Sequence, residues 1–216
     1  MTSSETRVLA LLGDPVKHSM SPEMQNAAFA EAGVDGIYVA LRCGAEDFVG
    51  FMRGLARAGG GGNVTLPHKE RAASVVDVPS EAVRRTGACN TFWGGTDGRV
   101  HGDNTDVQGF RRALCAFVGD PRGMRVLLLG AGGAARAALL GLLDEAVAEV
   151  AILNRSPERA RAVARRIGGR KVHVVAGPRV LRGQSFDLAV NATRLGLEPG
   201  DALPLDFEAL DRVGAA

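Results

Sequence analysis

The chain has 216 residues, and its 26 Lys and Arg against 24 Asp and Glu give a formal net charge of +2, which argues against nucleic acid or an anionic membrane as a partner. Hydrophobic residues make up 46% of the sequence, but no apolar run approaches the roughly 18 residues that a membrane-spanning helix needs. The three cysteines form no CxxC pair and no signal-peptide pattern opens the sequence, so we expect a soluble, cytoplasmic protein without disulfides.

In the first half of the chain, apolar runs alternate with helical patterns, which predicts a mostly parallel sheet flanked by helices. A strand over 7–12 is followed by a helix that Ser21 is predicted to cap, with Pro22 as its first helical residue and Gly33 as its end. We interpret the glycine run 59–62 as a flexible turn. The other predicted elements are a strand over 37–42, a helix over 45–57, two short helices, a hairpin of strands 90–93 and 99–102, and a helix over 106–117.

The second half restarts the alternation of strand and helix. Its predicted elements are strands over 125–129, 150–153, 172–175 and 187–190, and helices over 133–143 and 157–167. The whole pattern predicts an α/β protein with two domains, over residues 1–110 and 111–216, the second of Rossmann type. The turn Gly119-Asp120-Pro121 is the boundary mark that the pattern favours, with the helix before it shared between the two halves.

A glycine-rich turn follows the predicted strand over 125–129. Gly130, Gly132 and Ala135 occupy the positions of a G-x-G-x-x-(G/A) pattern. Such a turn lets the backbone approach a pyrophosphate and directs helix N–H groups at its charge. Because a buried strand and an alanine-rich helix flank it, the turn predicts a dinucleotide site. The residues expected to contact the cofactor here are Gly130, Ala131, Gly132, Gly133 and Ala134.

The end of the next strand predicts which dinucleotide binds. NAD-binding versions carry a carboxylate about 20 residues further on, which holds the ribose hydroxyls. This sequence has Asn154-Arg155-Ser156 and Arg159 instead. Arginine can form charge-assisted hydrogen bonds with the 2′-phosphate that a carboxylate would repel, so we predict NADP. The alternative is that both arginines are solvated residues at a helix start. Three small residues that end a later strand are expected to line the nicotinamide end of the cofactor: Asn191, Ala192 and Thr193.

Two segments of the first half carry candidates for a substrate site. Ser19 and Ser21 place two hydroxyls around a helix N-terminus, which suits a carboxylate, although Ser21 can also be an ordinary cap. The segment 63–69 follows a strand-like stretch and ends in Lys69. An exposed lysine is usually only a solvated charge, so Lys69 alone does not predict catalysis. Other motifs in the sequence are needed to support a catalytic role.

Seven motifs together resemble the shikimate dehydrogenase family. They occur in the family's order and spacing, from about residue 9 to residue 196. The motifs are Ser19-x-Ser21-Pro22, Asn63-Val64-Thr65-x-Pro67-x-Lys69, Gly87-Ala88-x-Asn90-Thr91, Gly102-Asp103-Asn104-Thr105-Asp106, the glycine turn from Gly130, Asn154-Arg155-Ser156 and Asn191-Ala192-Thr193. Several independent motifs in register are far more specific than any one of them.

The resemblance implies an NADP-dependent oxidoreductase that reversibly reduces 3-dehydroshikimate to shikimate, a step toward chorismate and the aromatic amino acids. It implies a substrate-binding catalytic domain over 1–110 and an NADP-binding domain over 111–216. Five residues match the family's substrate-binding positions: Ser19, Ser21, Thr65, Asn90 and Asp106. The partners expected are therefore small molecules, for a monomer or a homodimer.

The resemblance also implies the catalytic residues. Lys69 with Asp106 would form the catalytic pair, and Glu81 would lie near the nicotinamide. The lysine can polarise the substrate ketone and donate a proton to its oxygen, while the cofactor supplies hydride. Hydride transfer from nicotinamide needs no metal, and the four histidines show no metal-ligand spacing.

The sequence departs from the family mainly at its end. Family members continue well past the last residue here, with a further cofactor-domain strand, a substrate-binding tyrosine and glutamine, and returning helices. None of these is recognisable after Gly196. We therefore expect a Rossmann-type domain that is incomplete at its C-terminus. Two alternatives stay open: a quinate or aminoshikimate dehydrogenase of the same family, and a fragment that binds ligands without catalysis.

Overall fold

The computed structural model describes residues 3–196 and 198–215. The chain divides into two compact units, with the division between Thr105 and Asp106. The division into functional domains at residue 110 stays a prediction. Within the described residues, no helix combines the length and the apolar character that crossing a membrane requires.

The first unit is built around one mixed sheet whose strands run in the order β2-β1-β3-β5-β6-β4. β1 is parallel to both β2 and β3, and the predicted hairpin of β5 and β6 supplies the antiparallel pairs. Its elements in chain order are β1 (Arg7–Gly13), α1 (Ser21–Glu31), β2 (Gly36–Arg42), α2 (Phe48–Arg57), β3 (Gly61–Val64), α3 (Lys69–Val75), β4 (Val78–Pro79), α4 (Glu81–Thr86), β5 (Thr91–Gly94) and β6 (Val100–Asp103).

Strand pairing brings several connections of the first unit to one edge of this sheet. Asn63 near the end of β3 pairs with Thr91 at the start of β5, and Thr91 pairs with Asp103 at the end of β6. β1 ends beside β3 because Leu12 pairs with Val64. The segments that leave β1, β3 and β6, and the segment that enters β5, therefore share this edge.

Only the start of the glycine run 59–62 lies in the turn that we expected. Gly61 and Gly62 are buried and form the first half of β3. A Cβ atom at Gly62, whose φ is +154°, would overlap the carbonyl of Ala10 on β1. A Cβ atom at Gly61 would meet the carbonyl oxygen of Phe92 on β5. The two glycines are therefore needed because β3 approaches β1 and β5 with no room for a side chain.

The cap predicted at Ser21 is also wrong. Ser21 is the first residue of α1, Met20 precedes it in the cap position, and no side-chain hydrogen bond caps the helix. The hydroxyl of Ser19 donates to that of Ser21 over 3.0 Å. Pro22 still lies in the first turn, where its missing N–H costs nothing.

The second unit contains an all-parallel sheet in the order β11-β10-β7-β8-β9. Its elements are α5 (Thr105–Val118), which starts at the last residue of the first unit, β7 (Arg125–Leu129), α6 (Gly133–Asp144), β8 (Glu149–Leu153), α7 (Pro157–Val163), β9 (Val172–Val174), β10 (Ser185–Asn191) and β11 (Arg212–Ala215). The chain order reverses between β7 and β10, which is the switch point where doubly wound sheets bind ligands.

The strands of the second unit are apolar on both faces. In β7, Leu128 packs on one face with Leu139 of α6, while Leu127 and Leu129 pack on the other face with Leu205. Two-sided burial explains why this strand reads as an unbroken apolar run in the sequence.

Two expectations for the second unit need correction. The helix predicted over 157–167 is α-helical only to Val163 and continues as a π-helical turn over Ala164–Gly168. A strand does follow Gly196, because β11 pairs in parallel with β10 through Ser185 and Arg212. Its four residues, Arg-Val-Gly-Ala, carry too short an apolar pattern for us to have predicted it.

Candidate functional site

The candidate substrate-binding residues of the first unit lie in connections at the shared edge of its sheet. Ser19 and Ser21 follow β1, Thr65 and Lys69 follow β3, and Asn90 precedes β5. The first four are half-buried, and Asn90 is 7% exposed. Asp106 lies in the first turn of α5, which directly follows β6, and the division of the chain assigns it to the second unit.

The two serines form a preorganised pair of hydroxyls. Besides the bond between the hydroxyls, the backbone N–H of Ser21 donates to the hydroxyl of Ser19 over 3.2 Å. The pair therefore lies at the N-terminal end of α1, where the helix dipole favours a negative charge.

Lys69 begins α3, and the residue before it fixes the start of that helix to α2 and to the segment that follows β2. His68 is 3% exposed, its ring stacks on Phe48 with centroids 4.6 Å apart, and its Nε2 lies 2.8 Å from the carbonyl oxygen of Cys43. A carbonyl can only accept, so Nε2 carries the proton of this bond. On the other side, the carbonyl of Lys69 accepts the N–H of Cys89 over 2.8 Å. The backbone of Lys69 is thus held from both sides.

Asn90 is oriented by its neighbours at the same edge. Its Oδ1 accepts the N–H of Thr105 and the hydroxyl of Thr91, each over 2.9 Å. Its Nδ2 donates to the hydroxyl of Thr105 over 3.0 Å. These bonds tie the segment before β5 to the start of α5, the helix that carries Asp106.

Asn104 is a buried residue to which the sequence assigned no role beyond membership of a motif. It is 2% exposed, and its Nδ2 donates to the carbonyl of Ala88 over 2.9 Å and to the hydroxyl of Thr86 over 3.2 Å. Its side chain therefore holds the connection after β6 against the segment that leads to Asn90. In the sequence, a role for Asn104 was indicated only by its place in the motif, directly before Thr105.

Glu81 begins α4, which is brought to the same edge because β4 pairs in parallel with β6. Its side chain is 78% exposed and forms a long ion pair of 3.9 Å with Arg85. Glu81 belongs to the first unit, whereas the other predicted cofactor-binding residues belong to the second.

The glycine turn of the second unit lies at the switch point between β7 and β10. Gly130 has a φ of +116°, and a Cβ atom there would lie 2.9 Å from the carbonyl oxygen of Ala192. Its N–H donates to Leu153 at the end of β8 over 2.9 Å, and no side chain caps α6 at Gly132. The turn therefore brings bare backbone and the helix N-terminus to the carboxyl edge of the sheet, as a pyrophosphate requires.

The segment after β8 presents two exposed arginines beside this turn. Asn154 donates through Nδ2 to the carbonyl of Ser156 over 2.8 Å, and Ser156 caps α7 by accepting the N–H of Arg159 over 3.4 Å. Arg155 and Arg159 are exposed. Because β8 pairs with β7, this cationic segment adjoins the glycine turn.

Asn191, Ala192 and Thr193 close the other side of the turn. The N–H of Ala192 donates to Leu129 over 2.9 Å. The Oδ1 of Asn191 accepts the N–H of Thr193 over 3.0 Å and its hydroxyl over 2.7 Å. This local turn brings the Ala192 backbone against Gly130 at the carboxyl edge of β7 and β10.

The structure thus gathers the predicted residues other than Asp106 into two sets, one at the sheet edge of each unit. Within the described residues, His, Cys, Asp and Glu side chains form no group of three or more that could hold a metal ion.

Two family models match the chain. Residues 11–92 match the shikimate dehydrogenase substrate binding domain, and residues 115–194 match the shikimate / quinate 5-dehydrogenase domain. Each match falls within a different unit of the structure.

Relatives of known function and solved structures agree with these matches. A shikimate dehydrogenase (NADP(+)) of Rubrobacter xylanophilus is 43% identical over 98% of this chain and 76% of its own length. The crystal structure of shikimate dehydrogenase from Aquifex aeolicus has a TM-score of 0.87 at 31% identity, over 99% of this chain and 79% of that one. Shikimate 5-dehydrogenase from Thermus thermophilus, solved with NADP(H) and shikimate, has a TM-score of 0.82 at 40% identity, over 95% of this chain and 75% of that one.

The chain therefore spans about three quarters of the length of these relatives. At this level of identity and coverage the relationship is unambiguous, and the chain belongs to the shikimate dehydrogenase family.

Proposed function

We propose that this protein is an NADP-dependent oxidoreductase that interconverts shikimate and 3-dehydroshikimate. One observation carries the proposal: the hydroxyl pair of Ser19 and Ser21, Thr65, Asn90 and Lys69 share one sheet edge in a chain of this family. We further propose a cytoplasmic enzyme, active as a monomer or homodimer on small molecules rather than on nucleic acid.

The substrate is a ring carboxylic acid with hydroxyl groups, and the first unit offers matching donors. We assign the carboxylate to Ser19 and Ser21, whose hydroxyls lie at a helix N-terminus. The ring hydroxyls are assigned to Thr65, Asn90 and Asp106. The hydrogen-bonded amide of Asn90 supports its assignment, because an immobilised group loses little freedom when a ligand binds.

The proposed chemistry transfers one hydride and one proton. Bound NADPH would supply the hydride for the C3 carbon of 3-dehydroshikimate. The Lys69 ammonium gives its proton to the C3 oxygen, and in the reverse direction the neutral amine accepts the hydroxyl proton. Asp106 completes the proposed catalytic pair by favouring the charged lysine and binding the neighbouring hydroxyl. The backbone anchoring of Lys69 supports its role, since a proton donor acts only at a fixed distance.

The second unit is proposed to bind NADP. The glycine turn would receive the pyrophosphate, and Asn154, Arg155, Ser156 and Arg159 would receive the adenosine and its 2′-phosphate. Asn191, Ala192 and Thr193 are assigned to the nicotinamide end, and Glu81 is kept as a weaker candidate. The carboxyl edge of a doubly wound sheet at its switch point supports this arrangement.

A second candidate is quinate as substrate. The family model that matches residues 115–194 is described as shikimate / quinate 5-dehydrogenase, so that domain alone does not separate the two acids. Arg155 and Arg159 favour NADP and therefore the shikimate reaction over an NAD-preferring quinate enzyme.

The test is a rate measurement with the purified chain. Each cofactor, NADP⁺ or NAD⁺, is combined with shikimate, quinate or aminoshikimate, and the absorbance of the reduced nicotinamide is followed. We expect the highest kcat/KM for shikimate with NADP⁺. A higher kcat/KM for another acid would replace the substrate, and binding without turnover in any combination would make the chain a ligand-binding protein instead.

A further inference from the structure

Tyr38, the single tyrosine of the chain, lies in a network that connects α1 to the sheet. The amide of Asn26 on α1 accepts the backbone N–H of Tyr38 and donates to its carbonyl, each over 2.8 Å. These bonds satisfy backbone groups on the outer side of β2, the edge strand. They matter because α1 has no buried residue among those described and starts beside the serine pair.

The side chain of Tyr38 extends the network inward. Tyr38 is 2% exposed, and its hydroxyl donates to Oδ1 of Asn63 over 2.8 Å. β1 lies between the strands that carry these residues, so the phenol ring spans the width of β1. Burial raises the pKa of Tyr38 to about 12, so its hydroxyl keeps its proton and remains a donor at neutral pH.

Asn63 connects Tyr38 to Asn90 through hydrogen bonds. With Oδ1 accepting from the tyrosine, Nδ2 is the donor to the hydroxyl of Thr91 over 3.1 Å and to the carbonyl of Asn90 over 3.3 Å. The Thr91 hydroxyl then donates to Oδ1 of Asn90, whose Nδ2 donates to Thr105. The Tyr38 hydroxyl on Oδ1 and the Asn90 carbonyl on Nδ2 together hold the Asn63 amide, so Tyr38 supports the contacts of Asn63 with both Asn90 and Thr91.

We infer that Tyr38 is a positioning residue for substrate binding, which holds Asn63 against the Asn90 carbonyl and the Thr91 hydroxyl and so fixes the place of Asn90 at the sheet edge. The inference rests on the proposed function, in which Asn90 receives a ring hydroxyl. Two residues at this sheet edge are thus expected to have different effects. Tyr38 supports the position of the substrate-binding amide of Asn90, whereas His68 anchors Lys69, the residue assigned to proton transfer. Loss of the tyrosine hydroxyl therefore weakens substrate binding and leaves the chemical step largely unchanged.

The test is Tyr38→Phe, which removes one oxygen and keeps the ring. We expect the KM for shikimate to rise roughly 2- to 10-fold, the loss equivalent to one neutral hydrogen bond, with kcat within about twofold. The KM for NADP⁺ stays unchanged. Thr91→Val breaks the same series at a second point without altering the β-branched shape, so it should raise the KM for shikimate similarly and serves where Tyr38→Phe folds poorly.

A matched control separates positioning from loss of stability. Val100→Ala removes core volume on β6, where Val100 pairs with Gly94 at the opposite end of the hairpin from Thr91 and Asp103. It should lower the melting temperature without raising the KM for shikimate. An equal rise in KM for Val100→Ala, or an unchanged KM for Tyr38→Phe and Thr91→Val, would overturn the inference.

A double-mutant cycle tests the route through Asn63. In an Asn63→Ala background the series is already broken, so adding Tyr38→Phe should change the KM for shikimate by less than about twofold. A full additional rise would show that Tyr38 acts by another route.

Calorimetric binding of shikimate to the wild-type protein distinguishes this inference from the proposed function. Wild-type binding without turnover would reject the oxidoreductase, while Tyr38→Phe would still be expected to weaken that binding. Wild-type turnover with identical binding by Tyr38→Phe would reject the inference alone. Absence of both binding and turnover in the wild type would reject the two together.

Discussion

In the first unit, the candidate residues at the sheet edge are held by other side chains, as Asn90 is by Thr91 and Thr105. In the second unit, the candidate cofactor turn is shaped by backbone alone, with Gly130 against the carbonyl of Ala192. The sheet edge of the first unit presents oriented hydroxyl and amide groups. The sheet edge of the second unit presents backbone N–H groups with no side chain in front of them at Gly132. The first arrangement suits a small polar acid, and the second suits a pyrophosphate whose contacts are to the chain itself.

This difference predicts how each unit responds to substitution. Removing one polar atom in the first unit changes the orientation of a neighbour, whereas adding one carbon in the second unit distorts the turn itself. Substitutions in one unit should therefore affect its own ligand and spare the other ligand. The following predictions test that separation, from the largest expected effect to the smallest.

Lys69→Ala should have the largest effect, because it removes the proposed general acid. General acid–base groups contribute about 10²- to 10⁴-fold, so we expect kcat with shikimate and NADP⁺ to fall by that factor. Shikimate and NADPH should bind nearly as before, measured by calorimetry and by cofactor fluorescence. Turnover close to wild type would remove Lys69 from the mechanism.

Arg155→Ala should affect only the cofactor, and only the phosphorylated one. A hydrogen bond to a charged group contributes about 1.5–3 kcal/mol, so the KM for NADP⁺ should rise roughly 10- to 100-fold while the KM for NAD⁺ stays nearly constant. Arg161→Ala on the same helix is the matched control, since Arg161 pairs with Glu158 over 3.5 Å. Equal losses with NADP⁺ and NAD⁺ would contradict a 2′-phosphate site.

Two alanine substitutions in the glycine turn should separate fold from ligand binding. Gly130→Ala introduces a side chain at a φ of +116° and against Ala192, so the free energy of unfolding should fall by about 1–3 kcal/mol. Gly132 has a φ of −87° and open space around its Cβ direction, so Gly132→Ala should leave stability nearly unchanged.

Both variants should bind NADPH more weakly, because each places a methyl group where the backbone meets the pyrophosphate. Chemical denaturation and cofactor titration measure the two effects. Unaltered NADPH affinity in Gly132→Ala would place the cofactor elsewhere.

His68→Phe should have the smallest effect on rate. The substitution keeps the stack on Phe48 but leaves the Cys43 carbonyl without its donor, so we expect kcat to fall about 2- to 10-fold, with the KM for shikimate nearly unchanged. His101→Phe is the control: His101 stacks on Trp93 and bonds to Asp97 near the hairpin turn, so kcat should be unaffected. A rise in KM without a change in kcat would show that His68 does not position Lys69.

The elements and motifs that depend on local chain chemistry could be predicted from the sequence. The run Arg125–Leu129 followed by Gly130 predicted a strand and a tight glycine turn, and the structure contains both, while phosphate binding by the turn stays a prediction. Such patterns are visible because burial on both faces and a positive φ each constrain residue type within a few positions.

Features that depend on distant partners could not be predicted. Gly61 and Gly62 looked like a flexible turn because the backbone groups that exclude a side chain there, those of Phe92 and Ala10, lie on other strands. The Tyr38 to Asn63 bond joins residues 25 positions apart, across an intervening strand. β11 is short and is recognisable only by its pairing with β10.

A crystal structure of the chain with shikimate and NADP⁺ would test the account most directly. We predict the substrate carboxylate at the hydroxyls of Ser19 and Ser21, the Lys69 amine within hydrogen-bonding distance of the C3 oxygen, and the pyrophosphate at the turn after β7. Shikimate bound away from this sheet edge, or a C3 oxygen out of reach of Lys69, would contradict the account.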